Sequence, residues 1–412
     1  MRTLFILLAL LVSITIFGQN TKVLFIGNSI TYFNNMPQTF ADIAKSHGDT
    51  VDITVYAPGG TGFANHLVDP TVYNHFMAGD WDYVILQPGS NESPGFSYPI
   101  STTMQRARIL KDSIKKYSPC AKVLFYEISY GVWGTTPANV YTYDTTMFRI
   151  RRNIQLLADS TKSFLAPAGE CIKTIWDRNP SDLLWGSAGN IHPNNKGSYI
   201  IACSFYASIF QKPSFGTTEN GTLSPQTAIR YQQLVDSLVL DSLAEWRINT
   251  YSQKTDFNFT INATTVNFNS LSANVDSINW DFGNGNSSNL TNPTHTYSQA
   301  GDYEVILTSY NYGCTQTVKK HINIIISSLN SNNIESDIIN YPNPFNEYII
   351  VENISSNINN IEVYNVIGQN ISDDISFKVQ GNKILINTTN LDRGMYFIKI
   401  GNVVKKVIKN TY

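Results

Sequence analysis

Short apolar runs alternate with longer amphipathic stretches over the first half of the chain. The apolar runs are of the kind that strands buried on both faces show; they lie at 23–26, 51–57, 83–87, 123–128 and 164–167. The amphipathic stretches predict helices at 37–47, 104–117, 146–159 and 224–247. This alternation predicts an α/β fold, a flavodoxin-like parallel sheet with helices on both faces.

The first apolar run ends at a glycine and is followed at once by a serine, in the stretch Val23–Thr31. This pattern predicts a strand, a turn and the start of a helix. Ligands of open α/β sheets bind outside the carboxyl ends of the strands, so Ser29 is a candidate nucleophile. An ordinary structural turn would show the same local pattern.

Three further polar loops could share a site with this serine. The loop 57–62 is rich in glycine, which lets backbone amides approach a ligand closely. The side-chain amides of Gln87 and Asn91 follow the third strand, and His192 lies in a loop just before a helical stretch. Each of these features has an ordinary structural interpretation when it is taken alone.

In their order along the chain, these blocks resemble the SGNH hydrolases, the superfamily of GDSL esterases and lipases, over about residues 22–212. Gly27-Asn28-Ser29-Ile30 is similar to the nucleophile block, with Asn28 where most members have aspartate. His192, followed by proline, resembles the last block of the family. The resemblance implies that Ser29 is the nucleophile and His192 the base that activates it.

The resemblance also implies an oxyanion hole. Its donors would be the backbone amides of Ser29 and of Gly60 or its neighbour Gly59, together with one side-chain amide. Asn91 keeps the position of the family's asparagine, but Gln87 ends its strand as a glutamine does in one branch of the family. The sequence leaves the choice between these two amides open.

The acidic partner of the histidine is missing from its usual place. Three residues before His192, where the family usually has aspartate, this chain has Gly189. Three alternatives remain: a backbone carbonyl or Asn190 holds the imidazole, Asp182 reaches it from upstream, or the enzyme is weak or inactive. Some members of the superfamily work with a Ser-His dyad.

The predicted function is that of a secreted serine esterase that removes acetyl groups from a polysaccharide, without metal or organic cofactor. One alternative is a lipid or aryl esterase on the same fold, and another is a non-catalytic carbohydrate-binding or adhesive protein. Hydrogen-bond contact between Ser29 and His192 would discriminate these classes. Residues after the strand ends that could bind substrate are Tyr126, Tyr130, Trp133, Asp144 and Arg151.

The composition changes near residue 250, beyond which Asn, Ser, Thr and Ile become frequent. Short strand-like runs and turns there predict a β-sandwich. Trp280-Asp281-Phe282-Gly283 and His295-Thr296-Tyr297 resemble the signatures of a PKD domain, an immunoglobulin-like module. We expect the hydrolase domain to span 19–250 and the PKD domain 251–326, with His295 a structural residue.

Both ends of the chain carry export signals. Residues 1–18 have the short apolar run of a secretory signal peptide. After a polar linker at 327–336, residues 337–412 form a second predicted β module that resembles the sorting domain of the type IX secretion system of Bacteroidetes. This resemblance implies the type IX secretion machinery as a partner and a secreted or cell-surface location.

Charge and cysteine content narrow the function classes further. The net charge of −2 gives no basic footprint for nucleic acid. No later stretch is long and apolar enough to predict a transmembrane segment in the mature chain. The four cysteines lack the spacing of a zinc site. Export permits a disulfide, but the sequence does not choose the pair.

Overall fold

The computed structural model describes residues 20–325, 339–352, 361–381, 383–400 and 403–410. The predicted signal peptide at 1–18 and the predicted linker at 327–336 lie outside these residues. The chain divides into two compact units, Met1–Ile325 and Ile326–Tyr412.

A parallel sheet with the strand order β2-β1-β3-β4-β5 forms the centre of the first unit. Its strands are β1 (Thr21–Ile26), β2 (Val51–Tyr56), β3 (Tyr83–Leu86), β4 (Lys122–Tyr126) and β5 (Phe164–Ala166). The consecutive residues Val23, Leu24 and Phe25 are all fully buried. Because successive strand side chains point to opposite faces, both faces of the sheet are covered. The predicted flavodoxin-like sheet is confirmed.

The register of the sheet places the carboxyl ends of four strands side by side. Ile26 at the end of β1 pairs with Tyr56 of β2 and with Leu86 of β3. Leu86 pairs in turn with Phe125 near the end of β4. The carboxyl ends of these strands therefore form one edge, where the polar loops of the candidate site meet.

Helices flank this sheet. They are α1 (Ser29–Tyr32), α2 (Met36–Ser46), α3 (Phe63–His66), α4 (Pro70–Met77), α5 (Ile100–Tyr117), α6 (Pro137–Thr161), α7 (Ala168–Arg178), α8 (Asn195–Phe210) and α9 (Pro225–Leu240), with a 3-10 turn at Phe33–Asn35. Helix α6 begins earlier than predicted because Thr136 caps it with Pro137 in the first position. Helix α9 ends before the predicted residue 247 and is followed by turns.

A β-sandwich follows within the same unit. Its strands are β6 (Phe257–Asn262), β7 (Thr265–Ser270), β8 (Ser277–Asp281), β9 (Ser287–Ser288), β10 (Thr294–Thr296), β11 (Gly301–Asn311) and β12 (Cys314–Ile324). They form two antiparallel sheets with the orders β10-β7-β6 and β12-β11-β8-β9. Trp280 is fully buried and packs against Phe257 and Phe268. The predicted sandwich is confirmed.

A disulfide joins this sandwich to the α/β domain. Cys120, just before β4, is bonded to Cys314 at the start of β12, 194 residues further along the chain. Cys171 and Cys203 are buried free thiols. The link holds the sandwich at the amino-terminal edge of the parallel sheet, away from the polar loops.

In the second unit, the described residues form mainly β-strands. Its strands are β13 (Ile339–Tyr341), β14 (Tyr348–Glu352), β15 (Ile361–Asn365), β16 (Ser376–Gln380), β17 (Lys383–Asn387), β18 (Gly394–Ile400) and β19 (Val403–Lys409), with a 3-10 turn at Ser372–Asp374. They pair as β13-β14-β17-β16 and β15-β18-β19. Apolar side chains from both sheets share one core, as expected of the second predicted β module.

Among the described residues, no helix combines the length and the apolar character that crossing a membrane requires.

Candidate active site

Ser29 begins helix α1 directly after the first strand. Asn28 caps this helix, because its Oδ1 accepts a hydrogen bond from the Ile30 N–H at 3.0 Å. A Cβ on Gly27 would lie 2.3 Å from Thr31 Oγ1, so only glycine permits this tight approach of strand and helix. The turn presents the Ser29 hydroxyl at the edge where the polar loops meet.

His192 lies beside this serine. Its Nε2 is 2.8 Å from Ser29 Oγ. The imidazole stacks on Phe33, with ring centroids 4.2 Å apart, and Asn34 Nδ2 donates a hydrogen bond to the Pro193 carbonyl at 2.8 Å. The segment that follows the serine thus holds the histidine loop in place.

The far nitrogen of His192 contacts Asn190. Asn190 Oδ1 accepts from the His192 backbone N–H at 2.9 Å and lies 2.9 Å from Nδ1. A backbone N–H can only donate, so the atom that faces it must be the amide oxygen. That oxygen requires a proton on Nδ1, which leaves Nε2 as the acceptor for the Ser29 hydroxyl.

Burial also favours the neutral form of this histidine. It lowers the pKa of His192 below its ordinary value because charging the ring would cost solvation. At neutral pH the ring is therefore uncharged, with Nε2 free to accept a proton. The geometry and the protonation state suit a general base.

Asp182 does not reach the histidine, which corrects its assignment as a catalytic partner. Its Oδ1 accepts from Lys196 Nζ at 2.6 Å, and its Oδ2 accepts from Arg230 Nη2 at 2.6 Å and Tyr231 Oη at 2.5 Å. Burial raises the pKa of this carboxyl, but the hydrogen bond from Lys196 and its other partners outweigh burial and lower it overall. Since Nδ1 of His192 already has an acceptor, Asp182 serves to join the loop before the histidine to α8 and α9.

The absence of aspartate at position 189 has a steric counterpart. Gly189 has φ +70°, and a Cβ there would lie 2.5 Å from ring carbons of Trp133. The Gly189 N–H donates to the Val132 carbonyl at 2.8 Å. A side chain at 189 would therefore strain the backbone and displace the indole, which occupies the space where an aspartate side chain would begin.

Gln87 lies behind the serine and is fully buried. Its Oε1 accepts from the Asn28 N–H at 3.1 Å and from Thr31 Oγ1 at 2.6 Å. Its Nε2 donates to Asn28 Oδ1 at 2.9 Å and to the Pro88 carbonyl at 3.1 Å. Every polar atom of this amide is thus engaged within the protein, and Gln87 positions the turn that carries Ser29.

Asn91, in contrast, faces a cavity of about 420 Å³ in front of the serine. Ser29, His192, Asn91 and Gly60 all line this cavity. Asn91 Oδ1 lies 3.5 Å from the Tyr130 hydroxyl, at the long limit of a hydrogen bond. Within residues 20–325 its Nδ2 has no hydrogen-bond partner, so that N–H group is available to a ligand.

Glu92 is a structural member of the site that the sequence did not single out. Its carboxylate is almost fully buried and accepts from the backbone N–H groups of Gly89 at 3.0 Å and Phe63 at 2.7 Å. Arg106 Nη1 donates to the same carboxylate at 2.8 Å. The acidic residue directly after Asn91 was the only hint of this role in the sequence. The sequence does not show the donors that a buried carboxylate needs.

The other residues suggested for substrate binding divide into two groups. Tyr126 is fully buried, Asp144 pairs with Lys173 and Arg151 pairs with Glu170. Tyr130 lies close to the site because its hydroxyl approaches Asn91 Oδ1. Trp133 lies close to it because its ring packs against Gly189, in the loop before His192. Of the five suggested residues, only Tyr130 and Trp133 therefore contact the loops that form the site.

No group of three or more His, Cys, Asp or Glu side chains within the described ranges is arranged to hold a metal ion. The residues that line the cavity include Ser29 with its hydroxyl, His192 with its imidazole, the side-chain amide of Asn91 and the glycine Gly60. Such a set can activate a serine and bind an oxyanion.

Two segments of the chain match known families. Residues 249–326 match the family described as PKD domain, and residues 339–411 match the family described as secretion system C-terminal sorting domain. The second match indicates export by type IX secretion, to the cell surface or the medium. No curated protein matches the sequence of this chain.

Solved structures similar to the first part of the chain include SGNH-type hydrolases. A DUF4886 family protein from Bacteroides uniformis has 16% identity over 54% of this chain and 95% of its own, with a TM-score of 0.44. A putative SGNH hydrolase from Slackia heliotrinireducens has 21% identity over 46% of this chain and 98% of its own, with a TM-score of 0.38. The acetylxylan esterase Axe2 from Geobacillus stearothermophilus has 16% identity over 46% of this chain and 94% of its own, with a TM-score of 0.36.

Proposed function

We propose that this protein is a secreted serine esterase that removes acetyl groups from a polysaccharide. The observation that carries the proposal is the chain of contacts from Ser29 Oγ to His192 Nε2 and from His192 Nδ1 to Asn190 Oδ1. A hydroxyl next to a neutral, oriented imidazole is the arrangement that makes serine a nucleophile.

The reaction follows from these groups. Ser29 Oγ attacks the ester carbonyl while its proton passes to His192 Nε2, and a tetrahedral oxyanion forms. The imidazolium then gives the proton to the sugar oxygen as the ester C–O bond breaks, so the sugar leaves as an alcohol and an acetyl group stays on the serine. Water then gives a proton to the same nitrogen and attacks the acetyl carbon. When this second tetrahedral intermediate collapses, the imidazolium returns the proton to Ser29 Oγ, which releases acetic acid and restores the serine.

Asn190 takes the role of the third triad member in this proposal. Its oxygen accepts the Nδ1 proton and so orients the ring and fixes its tautomer. It carries no charge, so it stabilises the imidazolium less than a carboxylate would. We therefore expect turnover that is measurable but slower than in an enzyme with aspartate as the partner of the histidine.

The oxyanion is proposed to bind the backbone amides of Ser29 and Gly60 and the side-chain amide of Asn91. All three residues line the cavity in front of the nucleophile, and Asn91 Nδ2 is available as a donor. Gln87 is left out of the oxyanion hole, because both atoms of its amide already bond to the protein.

The chemistry around the cavity favours a sugar ester over a long lipid ester. The lining consists largely of glycines and polar side chains. Tyr98 borders it, and Phe96, which contacts Tyr130 edge to face, and Trp133 are exposed nearby. Exposed aromatic rings can stack on the apolar faces of sugars, and their concentration in one region marks a binding surface.

The remaining predictions complete the proposal. A signal peptide at 1–18 would direct export across the inner membrane of a member of the Bacteroidetes, before type IX secretion reads the C-terminal domain. The domain boundaries at residues 250 and 336 stay predictions. The PKD domain would act as a spacer or as an additional contact with the polysaccharide.

The test is hydrolysis of 4-nitrophenyl acetate and of acetylated xylan by the full chain with its disulfide formed. We expect acetate release that is lost in Ser29→Ala, and little hydrolysis of esters with long acyl chains. Faster turnover of long-chain esters would favour a lipid esterase. No release above Ser29→Ala on any ester would leave a carbohydrate-binding protein on a hydrolase fold.

A further inference from the structure

A second cavity lies at the opposite edge of the parallel sheet from Ser29. It has a volume of about 250 Å³ and is bordered by the first residues of β4 and β5 and by the PKD domain. Four lysines line it: Lys111, Lys115, Lys122 and Lys162. No Asp or Glu is among its lining residues. We call this cavity the lysine crevice.

Lys111 is buried and Lys115 is half-buried, and the ammonium groups of both lie near the ring of Tyr312. Lys111 is only 5% exposed, and its ammonium group donates to the Thr161 carbonyl. Lys115 Nζ donates to the Pro119 carbonyl at 2.7 Å. Burial and the charge of Lys111 lower the pKa of Lys115 to about 8. A pair of neighbouring cations that are at least partly buried is unfavourable unless an anion compensates it.

The protein itself compensates this charge only in part. Asp112 and Asp276 act favourably on Lys111, but neither lines the crevice. Lys122 Nζ donates to the Tyr83 hydroxyl, which is a neutral partner. The chain as a whole is close to neutral, so the cluster is a local feature and not a general excess of lysine.

The PKD domain completes the crevice. The ring of Tyr312 lies 4.9 Å from Lys111 Nζ and 6.0 Å from Lys115 Nζ. Asn311 and Gln316 add polar side chains to the lining. The disulfide between Cys120 and Cys314 holds this wall against the α/β domain. The crevice therefore exists only where the two domains meet.

We propose that the lysine crevice binds a small oxyanion of the sulfate or phosphate type, either as the free ion or as an ester group on a polysaccharide. Such an anion has the size and charge to sit among the lysine ammonium groups, with amide N–H groups of Asn311 or Gln316 as further donors. By bridging both domains, it would also fix their relative orientation. The proposal does not depend on esterase activity, because the crevice lies at the other edge of the sheet.

The test uses the full chain with its disulfide formed. Sodium sulfate and sodium phosphate are titrated by calorimetry, and Tm is measured against sodium chloride at equal ionic strength. The chloride reference is needed because sulfate stabilises many proteins through exclusion from their surface. Lys115→Met and the more exposed Lys162→Met remove crevice charges. Lys116→Met is the matched control, since Lys116 is exposed on the same helix and does not line the crevice.

We expect saturable binding by the unchanged protein and by Lys116→Met, and binding weakened about tenfold or more in the two crevice variants. In chloride alone, Lys115→Met should have a higher Tm than the unchanged protein, because it removes a half-buried cation that lies near the buried cation of Lys111. Hydrolysis of 4-nitrophenyl acetate should be the same in all of them, if the chain has that activity. Lys162→Met keeps the test valid if Lys115→Met does not fold.

A sulfated oligosaccharide and its unsulfated counterpart distinguish the two sources of the anion. If the sulfated sugar displaces inorganic sulfate and the unsulfated sugar does not, the crevice binds a polysaccharide ester. If inorganic sulfate binds and neither sugar displaces it, the crevice binds the free ion. Absence of saturable binding by all of these anions would overturn the proposal. So would equal binding by the unchanged protein and by both crevice variants.

Discussion

Two histidines in this chain stack on a phenylalanine in the same way but have different hydrogen-bond partners at Nε2. His192 in the α/β domain stacks on Phe33, and His295 in the PKD domain stacks on Phe282, each with ring centroids 4.2 Å apart. Burial lowers the pKa of both below the ordinary value. Neither the stacking nor the protonation state therefore distinguishes a candidate base from a structural residue.

The difference lies in what faces Nε2. In His192 this nitrogen meets the Ser29 hydroxyl at 2.8 Å, whereas in His295 it meets Asn284 Nδ2 at 2.9 Å. An amide N–H satisfies the nitrogen but cannot become a nucleophile, while a hydroxyl can. In the proposed function, a neutral, oriented imidazole therefore acts as a base only where a hydroxyl lies beside it.

The largest effect should come from removing either member of the Ser29–His192 pair. We expect Ser29→Ala and His192→Ala each to lower kcat for 4-nitrophenyl acetate by about 10⁴- to 10⁶-fold. His295→Ala should leave kcat unchanged, although it can lower Tm. Equal loss of activity in His192→Ala and His295→Ala, with both variants folded by circular dichroism, would break the comparison.

A smaller effect on kcat should distinguish Asn91, whose amide faces the cavity, from Gln87, whose amide is bonded within the protein. Asn91→Ala should lower kcat by about 10²- to 10³-fold with little change in Tm, because it removes a proposed oxyanion donor. Gln87→Met should mainly lower the stability, by about 1–3 kcal/mol, because it leaves buried partners at Asn28 and Thr31 unsatisfied. Urea unfolding beside steady-state kinetics measures both quantities. A large kcat loss in Gln87→Met at unchanged stability would return the oxyanion role to Gln87.

Each histidine ring also contacts one asparagine, Asn190 at Nδ1 of His192 and Asn284 at Nε2 of His295, and these two asparagines offer a pair of variants. Asn190→Ala removes the acceptor of the Nδ1 proton, and we expect kcat to fall about 10- to 100-fold, as loss of a hydrogen bond to a group that becomes charged implies. Asn284→Ala in the PKD domain should leave kcat unchanged. If Asn190→Ala kept full activity, the reaction would proceed as a dyad without Asn190.

The smallest effect concerns the pH dependence. The base must be neutral, and its pKa is lowered, so kcat/KM should persist below pH 6.5 and fall only as the pH drops through the lowered pKa. Asn190→Asp would place a negative charge beside the ring, favour the imidazolium and move the acid limb of the profile upward by about one pH unit or more. His295→Ala should leave the profile in place. An unshifted limb in Asn190→Asp would argue that another group controls it.

The sequence was sufficient for features that depend on local pattern. Buried strands read as continuous apolar runs, and a glycine followed by serine at a strand end marks a tight turn, so the sheet and Ser29 could be predicted. The PKD and sorting domains carry short contiguous signatures and match their families. Helix ends were less accurate, because caps such as Thr136 act through single hydrogen bonds.

The tertiary structure decided which distant side chains meet. Asn190 and not Asp182 holds His192, since the carboxylate has three closer partners, and Asn91 and not Gln87 faces the cavity. The disulfide across 194 residues and the lysine crevice were equally invisible in the sequence. Local periodicity sets the direction of neighbouring side chains, but pairing between remote segments depends on how the elements pack, which no short stretch encodes.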